Sequence, residues 1–430
     1  MNGQALHEFA TRLYPYCRSI TGDGVRRTLR DVGQRIPLKL TEIPSGRRVY
    51  DWTVPDEWNI DEAWIDDPDG RRVVDFSEHN LHVVSYSEPV ETDLPLRTLR
   101  TRVYTSSADP GWIPYRTSYY RRDWGFCARS RDVDTWKDGR YKVCVGSHLG
   151  RGALTYGEFW LPGRSRDEVL VFTHVCHPSL ANDNVSGMVI ATALGRWLQE
   201  SPRRYSYRIV FAPGTIGSLC WLKANEKHLD RVKHGLVLGL LGDSAPLTYK
   251  RSRRGDAPID QVAAYVLREL DADNRCIDFE PYGYDERQLC SPGFNLPVGR
   301  LTRSVNGGYP QYHSSADDLA LISARSLEAS LAACRRIVEV LESNLTCRNI
   351  MPKGEPQLGK RGLYGPLGGQ SPEISTRAML WVLNMSDGCA SLLDVAQRSG
   401  IAYDLIRSAA DSLDEAGLLR EAGRRKGSTK

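Results

Sequence analysis

The run Val169-Leu170-Val171-Phe172-Thr173 ends in His174, and nine residues later Asp183 heads an amphipathic helical pattern. A short, β-branched apolar run reads as a strand buried on both faces, and a strand of that kind needs helices above and below its sheet. Ligands bind beyond the carboxyl ends of such strands. The loop between strand and helix therefore lies where chemistry belongs, and it holds His174, Cys176, His177 and Asp183.

Three more apolar runs, Tyr207–Ala212, Gly235–Leu241 and Pro297–Leu301, read as strands of the same sheet. Helical stripes fit Asp183–Glu200, Ser218–Glu226 and Ser326–Glu342, and Leu6–Ile36 also reads as helical. The alternation predicts an α/β fold with a mostly parallel core sheet. Residues 45–160 break the pattern: they are rich in Trp, Tyr and Pro, and stretches such as Leu81–Ser87 alternate. We read them as a β-rich insertion into an α/β domain made of 1–44 and 161–350. The Pro/Gly-rich segment 351–372 reads as a linker. Beyond it, 373–430 offers short helices at Ser375–Asn384, Ser391–Ser399 and Tyr403–Ala416, with a turn at Gly400 and a strand starting at Leu418. That order is a winged helix-turn-helix pattern.

Charge narrows the partners. Net charge is +4, and the tail, with Arg420, Arg424, Arg425, Lys426 and Lys430 against Glu421, accounts for the whole excess. Nucleic acid is an unexpected partner, because the helix that would enter a groove carries Asp404, Asp411, Asp414 and Glu415 against Arg407 alone. The module reads instead as a packing or dimer-forming unit, so a homo-oligomer is expected. No apolar run reaches the ~18 residues of a membrane helix. No secretory pattern opens the chain, and ten cysteines without C-x-x-C spacing suit reduced thiols in a cytoplasm.

Histidines and acids cluster at the strand ends. His174 and Asp183 flank the first loop, Asp243 follows Leu240-Leu241-Gly242, and His313 follows Tyr312. Each alone has an ordinary reading: a structural histidine, a helix N-cap at Asp183, a turn at Asp243. Together, two imidazoles and two carboxylates suit one or two zinc ions. His177 competes with His174, and spacing does not choose between them. Cys176 fits either a buried thiol or a soft ligand. In Tyr282–Gln288, Arg287 has the fork to clamp a carboxylate, while Asp285 or Glu286 could hold an amine and Tyr282 an aromatic face. Arg251-Ser252-Arg253-Arg254 fits an anion site or a surface cluster. Neither a G-x-S-x-G elbow nor a Gly-rich phosphate loop occurs.

Five stretches, Leu13–Gly22, Asp51–Pro55, Trp124–Cys127, Cys176–Asn184 and Tyr312–Asp317, resemble the bacterial aminopeptidase-like proteins of the DUF4910/DUF2172 type. The resemblance implies an M28-like zinc aminopeptidase fold, a mixed sheet flanked by helices, with an inserted β domain and a C-terminal winged helix. It implies metal ligands at His174 or His177, Asp183, Asp243 and His313. It also implies a small substrate, an amino-acid, peptide or amino-sugar amide, handled in polysaccharide or natural-product biosynthesis. Two positions depart from the family pattern. Gly214 stands in Pro213-Gly214-Thr215-Ile216-Gly217-Ser218 where a glutamate general base is expected, and Gln311 precedes Tyr312-His313 where a second glutamate is expected. Loss of a general base costs on the order of 10²–10⁴ in rate. Glycine would also open volume beside the metal, which suits a bulkier substrate or an acyl transfer or cyclisation in place of hydrolysis.

Overall fold

The computed structural model describes residues 1–200, 202–363 and 374–422. The chain divides into two compact units, Met1–Ile337 and Val338–Lys430. An eight-stranded mixed sheet forms the centre of the first. In chain order its strands are β1 (Lys39–Pro44), β2 (Ala153–Leu161), β3 (Glu168–His174), β4 (Ser206–Ala212), β5 (Val232–Leu238), β6 (Thr248–Lys250), β7 (Arg275–Ile277) and β8 (Val298–Thr302). In space they run β1-β2-β4-β3-β5-β8-β6-β7. The four predicted strands are the parallel centre, β4-β3-β5-β8. Every residue of β3 is buried, as a doubly covered strand requires.

The helix after β3 packs so closely that a Cβ on Gly195 would lie 2.9 Å from Ile209 Cδ1 on β4. Regular helix begins only at Gly187 and runs to Gln199. Ala181–Ser186 is an irregular turn, so Asp183 presents its carboxylate from a bend and caps no helix. The other predicted helices are Ile216–Asn225 and Ala324–Ser343. The expected helix over Leu6–Ile36 is in fact two, Gly3–Leu13 and Asp23–Gly33. Between them, buried Arg18 donates to the carbonyls of Leu13 (2.6 Å) and His177 (2.8 Å), contacts that an unbroken helix would forbid.

Residues 57–66, 72–75, 90–95 and 140–150 form a separate four-stranded antiparallel sheet. Its boundary differs from the sequence reading. Arg151-Gly152 turns the chain out of this sheet, and Ala153–Leu161 pairs in the large one with β1 and β4. Trp58, Ile65 and Val145 of the insertion share one apolar cluster with Phe172 and Val210 of the large sheet. Arg26 fastens the insertion from the helix Asp23–Gly33: it donates to both oxygens of Glu57 at 2.7 and 2.6 Å, and Glu57 also accepts from the Ala153 amide.

In the second unit, Thr346–Asn349 pairs with Asp387–Ser391 and Leu419–Glu421, so it belongs to this unit although the sequence reading ended the α/β domain at 350. Helices Ile374–Met385, Leu392–Ser399 and Tyr403–Glu415 pack around Val382, Leu393, Ile406 and Leu413. Ser391 and Asp394 make a reciprocal capping box, and Gly400 ends its helix with a left-handed φ of 68°. Arg407, the lone cation of its helix, pairs with Asp411 one turn on. The linker residues 364–372 and the basic tail from 423, with Arg424, Arg425, Lys426 and Lys430, lie outside the described residues. Among the described residues no helix is long and apolar enough to cross a membrane.

Arg26 and its hydrogen bonds hold the Glu57 carboxyl down at about 2. A depressed carboxylate stabilises the fold above its unfolded pKa of about 4.3, and that contribution fades as pH falls toward 2. Solvent screening of this partly exposed pair limits it to about 1–2 kcal/mol. Glu57→Gln is expected to lower stability by that amount at pH 7, and the gap from wild type should close below pH 4 in urea melts.

Candidate metal centre

Asp183 is 1% exposed and faces three imidazoles. Its Oδ1 lies 2.8 Å from His174 Nε2, and its Oδ2 lies 3.0 Å from His313 Nε2 and 4.0 Å from His177 Nε2. Ligand atoms of His174, His177 and Asp183 all fall within 4.8 Å of one another. The alternatives His174 and His177 are thus both present. His174 ends β3, His177 follows in the loop, and His313 arrives from the segment after β8 with a left-handed φ of 56°. Strained backbone at a non-glycine residue gathers at functional sites, where the surrounding structure holds it.

Backbone contacts set these groups. Asp317 accepts from the amides of Asn182 (2.5 Å) and Asp183 (3.0 Å), lacing together the loops that carry Asp183 and His313. The Arg18 guanidinium fixes the His177 carbonyl from below. Asn184 donates to the Thr173 hydroxyl at 2.9 Å and to the His174 carbonyl at 3.0 Å. Burial opposes ionisation of Asp183, yet the imidazoles hold its carboxyl well below the usual range. Burial pushes His177 down to about 3, which keeps a lone pair free on its ring.

A buried carboxylate with three converging imidazoles is a donor set that zinc accepts. These nitrogen and oxygen atoms are close enough together for one cation to replace the hydrogen bonds among them, so the residues fit a metal. Asp243 does not join them. Asn182 Nδ2 (2.7 Å) and the Ser304 amide (3.3 Å) donate to its Oδ2, and the Ala245 amide donates to its Oδ1 at 2.8 Å. Its work is to hold the Asn182 turn.

The position beside Gly214 is full. A Cβ there would lie 2.1 Å from Cε1 and 2.3 Å from the hydroxyl of Tyr284, so that ring occupies the space a side chain would take. This overturns the expectation of open volume beside the metal. The Tyr284 ring stacks on His174 with centroids 3.8 Å apart, and its hydroxyl lies 3.2 Å from Cys176 Sγ and 3.5 Å from His177 Nδ1. Cys176 also accepts from the Gly214 amide at 3.2 Å, and burial pushes its thiol up to about 12, so it stays protonated.

The other predicted binding residues have mixed places. Glu286 is fully buried: Lys250 Nζ lies 2.6 Å from its Oε1, and the Tyr284 amide donates to it. The same ammonium donates to the Tyr282 carbonyl at 2.7 Å. Glu286 therefore anchors the loop that carries Tyr284 and is taken up by the Lys250 ammonium rather than lining the cavity. Asp285 is also buried and accepts from the Thr215 amide at 2.9 Å; burial pushes it up to about 6. Tyr282 is 60% exposed and faces solvent. The Tyr312 ring stacks on His313 at 3.9 Å, and the Gln311 carbonyl accepts from Ser314 to close the turn that delivers His313. Arg251, Arg253 and Arg254 are spent on Gly255 and Asn295, so they form no common anion site.

Arg287 does line the site. A cavity of about 690 Å³ opens over the cluster, walled by His177, His313, Tyr284 and Arg287. The insertion supplies walls that sequence reasoning missed: Trp52, Tyr115, Arg116, Tyr119 and Tyr120. The Tyr115 ring lies 5.1 Å from both His177 and His313. It is held there because its amide donates to the His313 carbonyl at 2.8 Å and the Ser315 amide donates to Ile113. No pattern around Tyr115 announces this pairing with a residue two hundred positions away. Arg18 had a signal, since it sits in one of the stretches that carry the family resemblance.

Comparison with known proteins bears on the family and the fold. A family model described as a domain of unknown function, DUF4910, matches residues 7–344, and one described as winged helix-turn-helix matches 345–421. A protein of Clostridium acetobutylicum, provisionally named a polysaccharide biosynthesis protein with an aminopeptidase-like domain, is 44% identical over 97% of this chain and 96% of its own length. A crystal structure from the same organism, provisionally named a peptidase, superimposes with a TM-score of 0.93 at 43% identity, covering 97% of this chain and 96% of that one. A zinc aminopeptidase from Bacillus subtilis shares the fold at 12% identity, with a TM-score of 0.56 over 79% of this chain and 95% of that one. The first unit thus has the fold of the M28 aminopeptidases. By its sequence match and its architecture alike, the chain belongs to the DUF4910 family, with a winged helix at its carboxyl end.

Proposed function

We propose that this protein is a zinc-dependent enzyme of aminopeptidase-like fold that acts on the amide of an amino-acid or peptide-like metabolite. The observation that carries the reading is the convergence of His174, His177 and His313 on buried Asp183, with His177 and His313 lining an open cavity. Those four residues would hold one or two zinc ions, which would polarise a carbonyl of the bound amide. The rings of Tyr284 and Tyr115 flank the imidazoles, Tyr284 against His174 and Tyr115 against His177 and His313. The name of the clostridial relative supports a place in polysaccharide biosynthesis. All ten cysteines are free thiols, which supports a cytoplasmic setting.

A second reading has its own observation. Gly214 cannot move a proton, and Tyr284 fills the space beside it. A chain with no carboxylate at that point suits acyl transfer or cyclisation, in which the substrate's own amine attacks, better than hydrolysis by activated water.

Two outcomes follow. Protein purified without added metal is expected to carry one or two equivalents of zinc by elemental analysis, and Asp183→Asn or His313→Ala should lose most of it. No zinc on purification or on titration would overturn the metal reading. Gly214→Glu alone is expected to destabilise the fold by about 1–3 kcal/mol, the usual cost of overpacking, with no gain in hydrolysis of amino-acid anilides. Gly214→Glu with Tyr284→Ala should recover that stability and raise anilide hydrolysis at least tenfold.

A further inference from the structure

The walls of the cavity have one sign of charge. Two guanidiniums, Arg287 and Arg116, face it, and among the described residues lining it there is no carboxylate. The nearest acids are committed elsewhere: Asp183 to the imidazoles, Asp285 to the Thr215 amide, Glu286 to Lys250. A free ammonium is received most strongly by a carboxylate, and among the described residues lining this cavity there is none. Arg287 has the opposite need. It is half-buried in the cavity wall, its Nε is without a hydrogen-bond partner, and among the described residues it makes no ion pair. Arg116 is exposed and stacked over Tyr104, and among the described residues it makes no ion pair. Between these cations and the metal cluster stand the flat faces of Tyr115 and Tyr119, joined through their hydroxyls at 2.6 Å.

We propose that this cavity selects an anionic substrate, a small amide whose carboxylate or phosphate is held by the Arg287 fork while its apolar part lies against Tyr115 and Tyr119. The inference rests on the enzyme reading for what happens to the amide, but the anion preference stands on Arg287 alone. Arg287 is held for this role. It lies one residue beyond Glu286, and the Lys250–Glu286 pair fixes the loop that carries it. A guanidinium so placed binds carboxylate or phosphate through two parallel hydrogen bonds.

The test is calorimetric titration of the full chain, zinc-loaded and zinc-stripped, with four probes: N-benzoylglycine, its neutral amide N-benzoylglycinamide, the cationic glycine benzylamide, and phenyl phosphate. One of the two anions is expected to bind about tenfold to a hundredfold more tightly than the neutral amide. Which anion does so separates a carboxylate substrate from a phosphorylated one. Arg287→Met should erase the preference, and Arg287→Lys should keep part of it, with melting temperature and zinc content unchanged in both. Tighter binding of the neutral or cationic probe, a preference that survives Arg287→Met, or no binding of any probe at millimolar concentration would overturn the proposal. Failure of the metal reading shows separately, as absent zinc with an intact Arg287-dependent preference.

Discussion

One buried carboxylate organises the first unit. Ionised Asp183 would be expensive inside a protein without partners, and its partners come from opposite ends of the chain order: His174 and His177 from the loop after β3, His313 from the segment after β8. Asp317 then laces the amides of Asn182 and Asp183, so the loops that carry Asp183 and His313 hold each other. The irregular turn at Ala181–Ser186 follows from this demand. A regular helix from Asp183 onward would aim the carboxylate along the helix and away from the imidazoles.

The opposite wall is built on a second buried charge. Lys250 on β6 meets Glu286, and the pair satisfies the Tyr284 amide and the Tyr282 carbonyl. Buried ion pairs are weak contributors to net stability, but they select one conformation when all their polar atoms are met. Here the selected conformation drives the Tyr284 ring into the place beside Gly214. The glycine and the tyrosine are complementary: either residue alone would leave a void or a clash.

Much of this was legible in the sequence, and for physical reasons. The parallel centre of the sheet announced itself because strands covered on both faces have no room for polar residues, so Val169–Phe172 and Tyr207–Ala212 stand out as runs. His174 and Asp183 were legible because the ends of such strands are where ligands gather, whereas His313 lies in a loop well beyond the end of β8. The helices of the winged unit followed from capping chemistry at Ser391 and Gly400. What was hidden depends on contacts across long stretches of chain. Glu286 has the composition of a surface acid and is buried only because Lys250 meets it. Asp243 sits at a strand end as a ligand should, but Asn182 claims its carboxylate. The transfer of Ala153–Leu161 from one sheet to the other turns on two residues, Arg151-Gly152, that look like any hairpin.

The pairing of the Tyr115 amide with the His313 carbonyl reaches further than its one hydrogen bond suggests. An insertion is ordinarily a replaceable module, free to drift or be lost while its host keeps working. This one is stitched to the segment that bears His313, and it furnishes most of the aromatic lining of the cavity over the histidine cluster. Host and insertion are therefore bound to change together. A graft of the bare α/β core from this chain would carry away its histidines and leave behind the surface that decides what they meet.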